Sequence, residues 1–342
     1  MRQTLFLFIL MINTFMTPAT AQPLGRGQVT TMEGRPIPDV AVTLKGRPTY
    51  ISDVNGNLWF AIDDGQYIVE RIEKPGYRLV SPRMPFVQTD GSALLKVVME
   101  VAESNEQRAV REKGASLYER VLECEQKRLY GDGADLMIER ANLDTMNVRW
   151  QFQTGDYMHK YGDYATAQKF YNRAIHKAQE LYGDKNQYLA ICYQLYGDNY
   201  YTWRVWGENS VLNYADAKTY YRQAGHYWYS LLGENNNQTA LIYNKMGSCW
   251  FKLDNLPNAA ECFSKALEVL LAISDADRGL LASTYGNLAV VAINNGEWTK
   301  ALEWYTKDME YLESLGVRGE LYQYVQNQIE LLKKKIELAE GK

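Results

Sequence analysis

Four times in its C-terminal part the chain repeats one spaced series of residues. Gly155, Tyr164, Ala167, Tyr171 and Ala174 form the first set. Gly197, Tyr214, Ala217, Tyr221 and Ala224 form the second, and Gly247, Leu256, Ala259, Phe263 and Ala266 the third. Ala289, Trp298, Ala301 and Tyr305 make the fourth, with Asp308 where an alanine is expected. The sets begin at 155, 197, 247 and 289, so the steps are 42, 50 and 42. In the first set the two small residues, Gly155 and Ala167, are 12 apart, which places them opposite each other across a short turn between two helices. A larger side chain at such a crossing would push the helices apart. The pattern restricts this part of the chain to stacked helical hairpins.

The series resembles the tetratricopeptide repeat, whose usual step is about 34 residues. The 42-residue step, the endings ELYGD (180–184) and LLGEN (231–235), and YGNLA (285–289) are most similar to the kinesin-light-chain variety of that repeat. Units are expected near 106–136, 142–184, 188–234, 238–274 and 280–315, with a capping helix over 318–340. The leading unit is inferred from YERVLECEQKRLYGD (118–132), which echoes YNRAIHKAQELYGD (171–184). In the capping helix, Leu321, Val325, Gln328, Leu332 and Ile336 trace one face, leaving the KKK run to solvent. The 50-residue step carries eight extra residues around Trp203 to Asn213. Split four and four, they would add about one turn to each antiparallel helix and keep the phase. Either the hairpin is elongated with tryptophans packed along it, or a loop protrudes and Trp203 and Trp206 anchor a partner.

The N-terminal part has a different period. VAVTL (40–44), LWFAI (58–62), YIVERI (67–72) and ALLKVVM (93–99) read as strands, with turn signals at 53–56 and 63–65. Gly27, Val29, Gly34, Pro36, Ile37, Val40, Asp53, Gly56, Tyr67, Gly76 and Tyr77 give this stretch a resemblance to the carboxypeptidase regulatory-like domain. That resemblance implies a small β-sandwich over 22–102 and says little of function. Ser104 with Gln107 forms a capping box opening the helical region, 103–342, and Pro257 is expected at the first position of a later helix. The fold class is therefore multidomain: a small all-β sandwich followed by an all-α tetratricopeptide-repeat solenoid.

Residues 1–21 combine Arg2, an apolar run from Leu5 to Ile12 and the small-residue site Ala19-Thr20-Ala21, the pattern of an export signal. The expected location is a Gram-negative periplasm, cell surface or exterior. A net charge of −4 gives no footprint for nucleic acid. No later segment is apolar enough to span a bilayer. The cysteines, Cys124, Cys192, Cys249 and Cys262, are too sparse for a disulfide scaffold, although Cys249 and Cys262 fall on one hairpin where a bridge would fit. His159, His176 and His226 form no cluster with metal-ligand spacing, and no nucleophile elbow, zinc-protease or phosphate-loop motif occurs. Neither cofactor nor catalysis is expected.

The repeat argues for binding. In stacked hairpins the first helix of each unit lines the concave side. Counted from the small residues, that face holds Arg149, Phe152, Asp156, His159 and Lys160, then Gln194, Asp198 and Tyr201, then Asn244, Ser248, Phe251 and Lys252. Aromatic residues with both charge signs suit an extended peptide. Phe152 and Asp156 stand where relatives that clamp a C-terminal carboxylate have lysine and asparagine, so that specificity is not carried over. The expectation is an exported, non-enzymatic scaffold for an envelope protein or peptide. The alternative is a glycan-binding protein using Trp59, Trp203, Trp206 and the abundant tyrosines.

Overall fold

The computed structural model describes residues 24–61, 66–88, 94–203, 210–274 and 276–340. The export signal, the turn at 63–65 and Trp206 lie outside them. The chain forms two compact units, Pro23–Gly233 and Glu234–Lys342.

The first unit opens with eight strands: β1 (Leu24–Thr30), β2 (Ala41–Leu44), β3 (Thr49–Ile51), β4 (Asn57–Ala61), β5 (Tyr67–Glu73), β6 (Tyr77–Ser81), β7 (Phe86–Gln88) and β8 (Leu95–Val101). They make two four-stranded sheets, ordered β4-β1-β8-β6 and β3-β2-β5-β7. All pairings are antiparallel except β1 with β8. Alternate residues seal the sandwich: Leu58 and Phe60 on β4, Val97 and Met99 on β8, Val42 and Leu44 on β2 are all buried. Phe60 touches both Tyr50 and Tyr67 of the opposite sheet, at ring-centroid distances of 5.8 and 4.9 Å. Gly56, at φ +74° beneath the Val29 carbonyl, closes the turn into β4 where no Cβ would fit. Val40–Leu44, Leu58–Ile62 and Tyr67–Ile72 match strands to within a residue. β3 and β7, three residues each, carry too few alternations to be read, and no residue of β6 is buried.

Six helices complete this unit: α1 (Asn105–Gln126), α2 (Tyr130–Leu143), α3 (Val148–Lys160), α4 (Tyr164–Tyr182), α5 (Gln187–Thr202) and α6 (Ser210–Leu232). The capping box forms as read: Ser104 Oγ accepts from the Gln107 amide at 3.2 Å, and Gln107 Oε1 accepts from the Ser104 amide at 2.8 Å. The second unit holds α7 (Asn237–Lys252), α8 (Leu256–Leu271), α9 (Arg278–Asn294), α10 (Trp298–Ser314) and α11 (Glu320–Glu340).

The crossings have the geometry that the spacing requires. A Cβ built on Gly155 would lie 2.7 Å from the Tyr171 ring and 3.2 Å from the Ala167 carbonyl. On Gly197 it would meet Tyr221 at 2.6 Å and Ala217 O at 3.2 Å, and on Gly247 it would meet Phe263 at 2.6 Å. The aromatic residue of each second helix thus lies on the glycine of the first. In the fourth hairpin Ala289 takes the glycine position, and Gly286, one turn earlier, makes room for Asp308.

The turns share one chemistry. After α1, α3, α7 and α9 a single residue at positive φ (Arg128, Gly162, Asp254, Gly296) ends the helix, and the following amide bonds the carbonyl five residues back. That following residue is also the N-cap of the next helix. The connectors are three residues long: 127–129, 161–163, 253–255 and 295–297.

Several expectations need correction. The α5–α6 hairpin is not lengthened evenly. α5 ends five residues after Gly197, as α3 does after Gly155, whereas α6 begins seven residues before Ala217 instead of three. α5 is not lengthened, and at least one turn is added at the start of α6. The echo between 118–132 and 171–184 is one of letters. In the second copy Gly183 caps the end of α4, while Tyr130-Gly131-Asp132 opens α2, because α1 has already ended at Gln126. Pro257 is the second residue of α8, after Leu256. None of the four cysteines forms a disulfide, and Cys192, Cys249 and Cys262 are buried.

Strand and helix classes change between Val101 and Asn105 as read, but packing continues across that point. Ala41 and Ile51 of the sandwich share a core with Val148, Phe152, Tyr188 and Leu189. The outer edge of β3 is covered by the start of α5: the Thr49 amide donates to the Lys185 carbonyl at 3.0 Å, and the Ile51 amide to Gln187 Oε1 at 3.2 Å. An edge strand that would otherwise offer unpaired amides is closed in this way.

Candidate functional site

Within Pro23–Gly233, the helices α3 and α5 carry most of the expected surface. Its two ends differ. At the start of both helices the surface is already taken. Arg149 Nε donates to Asp39 Oδ1 at 2.5 Å, and the Tyr188 hydroxyl donates to the same oxygen. Burial works against the Arg149 charge, but Asp39 and Tyr188 outweigh it and hold the guanidinium above its usual range. Lys74, at the end of β5, is pulled down by burial and by Arg149, with Asp39 opposing. Phe152 is 6% exposed and packs against Tyr188. Arg149 and Phe152 therefore bind the protein's own sandwich rather than lining an open face. Asp39 and Tyr188 are the partners that spacing could not reveal, because one lies 110 residues from Arg149.

The other end is more open. Asp156, His159, Gln194, Asp198, Tyr201 and Trp203 are all half-buried, and Lys160 is exposed. His159 Nδ1 lies 3.2 Å from Asn199 Oδ1 and 3.5 Å from Thr202 Oγ1, tying α3 to α5. The Asn199 amide nitrogen is used by the Tyr164 carbonyl, at 3.1 Å. The Asn199 oxygen therefore faces the imidazole and accepts from Nδ1. Asn199, buried in the last turn of α5, organises this end. Its sequence signal is an amide two residues after the crossing glycine.

Most polar groups here have partners. Asp198 accepts from the Tyr221 hydroxyl at 2.6 Å, Gln194 from Trp228 Nε1 at 3.3 Å, and Glu125 from Lys160 Nζ at 2.8 Å. The Glu125 and Tyr161 contacts raise the Lys160 ammonium above its ordinary range. Tyr201 meets Tyr214 edge-on at 5.3 Å. Trp203 lies 6.4 Å from Tyr164 and 6.1 Å from Tyr200, at the end of a seam of tyrosines that continues through Tyr220 to Tyr193 and Tyr227. For Trp203 the structure favours packing along the hairpin.

In the second unit, Asn244 and Ser248 are buried. Asn244 Nδ2 donates to Thr284 Oγ1 at 2.6 Å, and Ser248 Oγ donates to the Asn244 carbonyl at 3.0 Å. Asn244 ties α7 to α9, and the Ser248 hydroxyl is turned back onto its own helix. Phe251 is half-buried against the core of its unit, and Lys252 is half-buried at the end of α7. Among the described residues no group of His, Cys, Asp and Glu is arranged to hold a metal, and no helix is long and apolar enough to cross a membrane.

The tetratricopeptide repeat family model matches residues 238–314, the span from α7 to α10. The two hairpins α7–α8 and α9–α10 match this repeat. Their geometry recurs in α3–α4 and α5–α6, so the fold class is a small β-sandwich followed by tetratricopeptide-like helical repeats. No curated protein matches the chain. Among solved structures, BtubC (BKLC) from P. vanneervenii is similar at 15% identity and a TM-score of 0.47, over 64% of this chain and 94% of that one. PilF of Pseudomonas aeruginosa is similar at 12% identity and a TM-score of 0.43, over 68% and 99%. MamA from Desulfovibrio magneticus RS-1 gives 14% identity and a TM-score of 0.42, over 59% and 96%.

Proposed function

We propose that this protein is an exported, non-enzymatic scaffold that docks an extended segment of an envelope protein on the first helices of its repeats. Tetratricopeptide repeats make protein-interaction scaffolds, and that coarse reading rests on the match at 238–314. The finer reading is supported by one observation. On α3 and α5 the crossing residues are sealed while His159, Lys160, Gln194, Tyr201 and Trp203 stay at least partly open beside them. These are aromatic, amide and charged groups on two parallel rigid supports, the composition that holds a peptide by its side chains. The surface available is smaller than the sequence alone implies, because Arg149 and Phe152 are occupied. Export is supported by the leader pattern of residues 1–21, and the carboxypeptidase regulatory-like assignment of the sandwich by its motif residues and its two-sheet form.

A photo-crosslinking residue at position 160, with a control at the exposed Lys169 on α4, tests the docking face in the native envelope. The expected result is a discrete polypeptide adduct from position 160 alone, in the envelope fraction. Equal labelling from both positions, or none, overturns the docking face, and adducts confined to the cytoplasm overturn the export.

A further inference from the structure

In three hairpins the residue three places after the crossing aromatic ring is a fully buried alanine: Ala174, Ala224 and Ala266. In the fourth it is Asp308, which is 4% exposed. The first helices differ at the matching place. Three residues before the crossing position stand Phe152, Gln194 and Asn244, and each reaches a neighbouring element: Phe152 packs on Tyr188, Gln194 accepts from Trp228, and Asn244 donates to Thr284. In the fourth hairpin this residue is Gly286, which is half-buried. A Cβ on Gly286 would lie 2.8 Å from Asp308 Oδ2 and 3.6 Å from its Cγ, and beyond the chain neighbours no other described side chain comes within 4 Å of that point. On α9 a side chain is thus missing from the first-helix surface, and a carboxylate oxygen is aimed into the gap.

That carboxylate makes no hydrogen bond or ion pair among the described residues. Burial raises it, and no neighbouring charge offsets the cost. The cations of the adjoining helices are placed elsewhere. On α10, Lys300 is held by Glu297 and Lys307 by Glu310. On α9 the one basic residue, Arg278, is eight residues from Gly286, about two turns away. On α11, Lys333 and Lys334 are exposed and Lys335 lies over the Trp298 ring, ten residues before Asp308. An acid that is desolvated and unpaired, at a position where alanine serves three times, is not there for packing.

We propose that the gap at Gly286 receives a lysine or arginine side chain of the docked segment, with Asp308 as its ion-pair partner. This deepens the docking reading above and rests on it, since α9 is a first helix as α3 and α5 are. The two carboxylate oxygens match the several N–H donors of an ammonium or guanidinium, and Gly286 contributes by leaving the approach open.

The test is selection of random nonapeptides with blocked N-termini on the full chain, so that only side chains can supply the cation. The expected consensus has lysine or arginine at one fixed position. Replacing that residue by norleucine should weaken binding to the wild-type chain about tenfold. Asp308→Ala should weaken the basic peptide by a similar factor and bind the norleucine peptide as the wild type does. Alanine is what the other hairpins carry, so this variant keeps the fold, and Asp308→Asn, alike in shape but uncharged, repeats the comparison. If no peptide is enriched, the docking reading itself fails. Docking stands and the Asp308 assignment is overturned if the enriched peptides lack a basic position, if norleucine binds the wild type as well as lysine does, or if the variants weaken both peptides equally or neither.

Discussion

At the scale of single residues, the helix crossings and one buried acid make the sharpest predictions. Gly197→Ala would bring a Cβ to 2.6 Å from the Tyr221 ring, and Gly155→Ala to 2.7 Å from Tyr171. Each should lower the unfolding free energy by about 1–3 kcal/mol in denaturant titration. Gly131→Ala, where a Cβ meets nothing within 4 Å, should be neutral or stabilise by up to about 1 kcal/mol. Asp308 occupies an alanine position and is 4% exposed. Burial raises its carboxyl to about 7. The folded form therefore keeps its proton after the unfolded chain has lost it. The contribution is full below about pH 4, falls as pH rises, and has gone above about pH 7. Relative to Asp308→Ala, the wild-type chain should lose on the order of 2–4 kcal/mol between those limits. Parallel pH profiles that do not diverge would contradict this. The crossing glycines were legible because only the smallest residue fits where two backbones approach, and that demand repeats at fixed spacing. Asp39 was not legible, since nothing local marks it as the acceptor for an arginine on a distant helix.

At the scale of elements, the hairpins are uniform where their turns are uniform. Three-residue connectors that serve as both stop and N-cap leave no freedom in register, so equal spacing in the sequence becomes equal geometry. α5 ends without that motif at Trp203, and spacing alone could not say how the eight extra residues of this hairpin divide. It could say that the second helix keeps its phase, because one added turn returns the same face to the core. The sandwich and helices are joined by the Asp39–Arg149 pair, whose side chains are 19% and 15% exposed. Asp39→Ala should cost about 3 kcal/mol, because it leaves a guanidinium without its acid. The double variant Asp39→Ala with Arg149→Met should recover most of that loss in the same melt.

At the scale of the molecule, secondary structure and compact units divide the chain at different places. The change from strand to helix comes between Val101 and Asn105, whereas the compact unit continues to Gly233. Hydrogen exchange should therefore show strands β2 and β3 and helices α3 and α5 opening together under mild denaturant, and Asp39→Ala should lower the protection of both. Separate opening of the strands would show that their shared core adds little.

The cover that α5 places over β3 has a practical side. A fragment begun at residue 103, the natural choice from a diagram of strands and helices, would strip a lid from Val148, Phe152 and Tyr188 and strand the charge of Arg149. The complementary fragment would carry a raw strand margin ready to stick to its neighbours. Clumping of either piece at concentrations where the whole chain stays dispersed would then reflect where the scissors fell, not a defect in the fold.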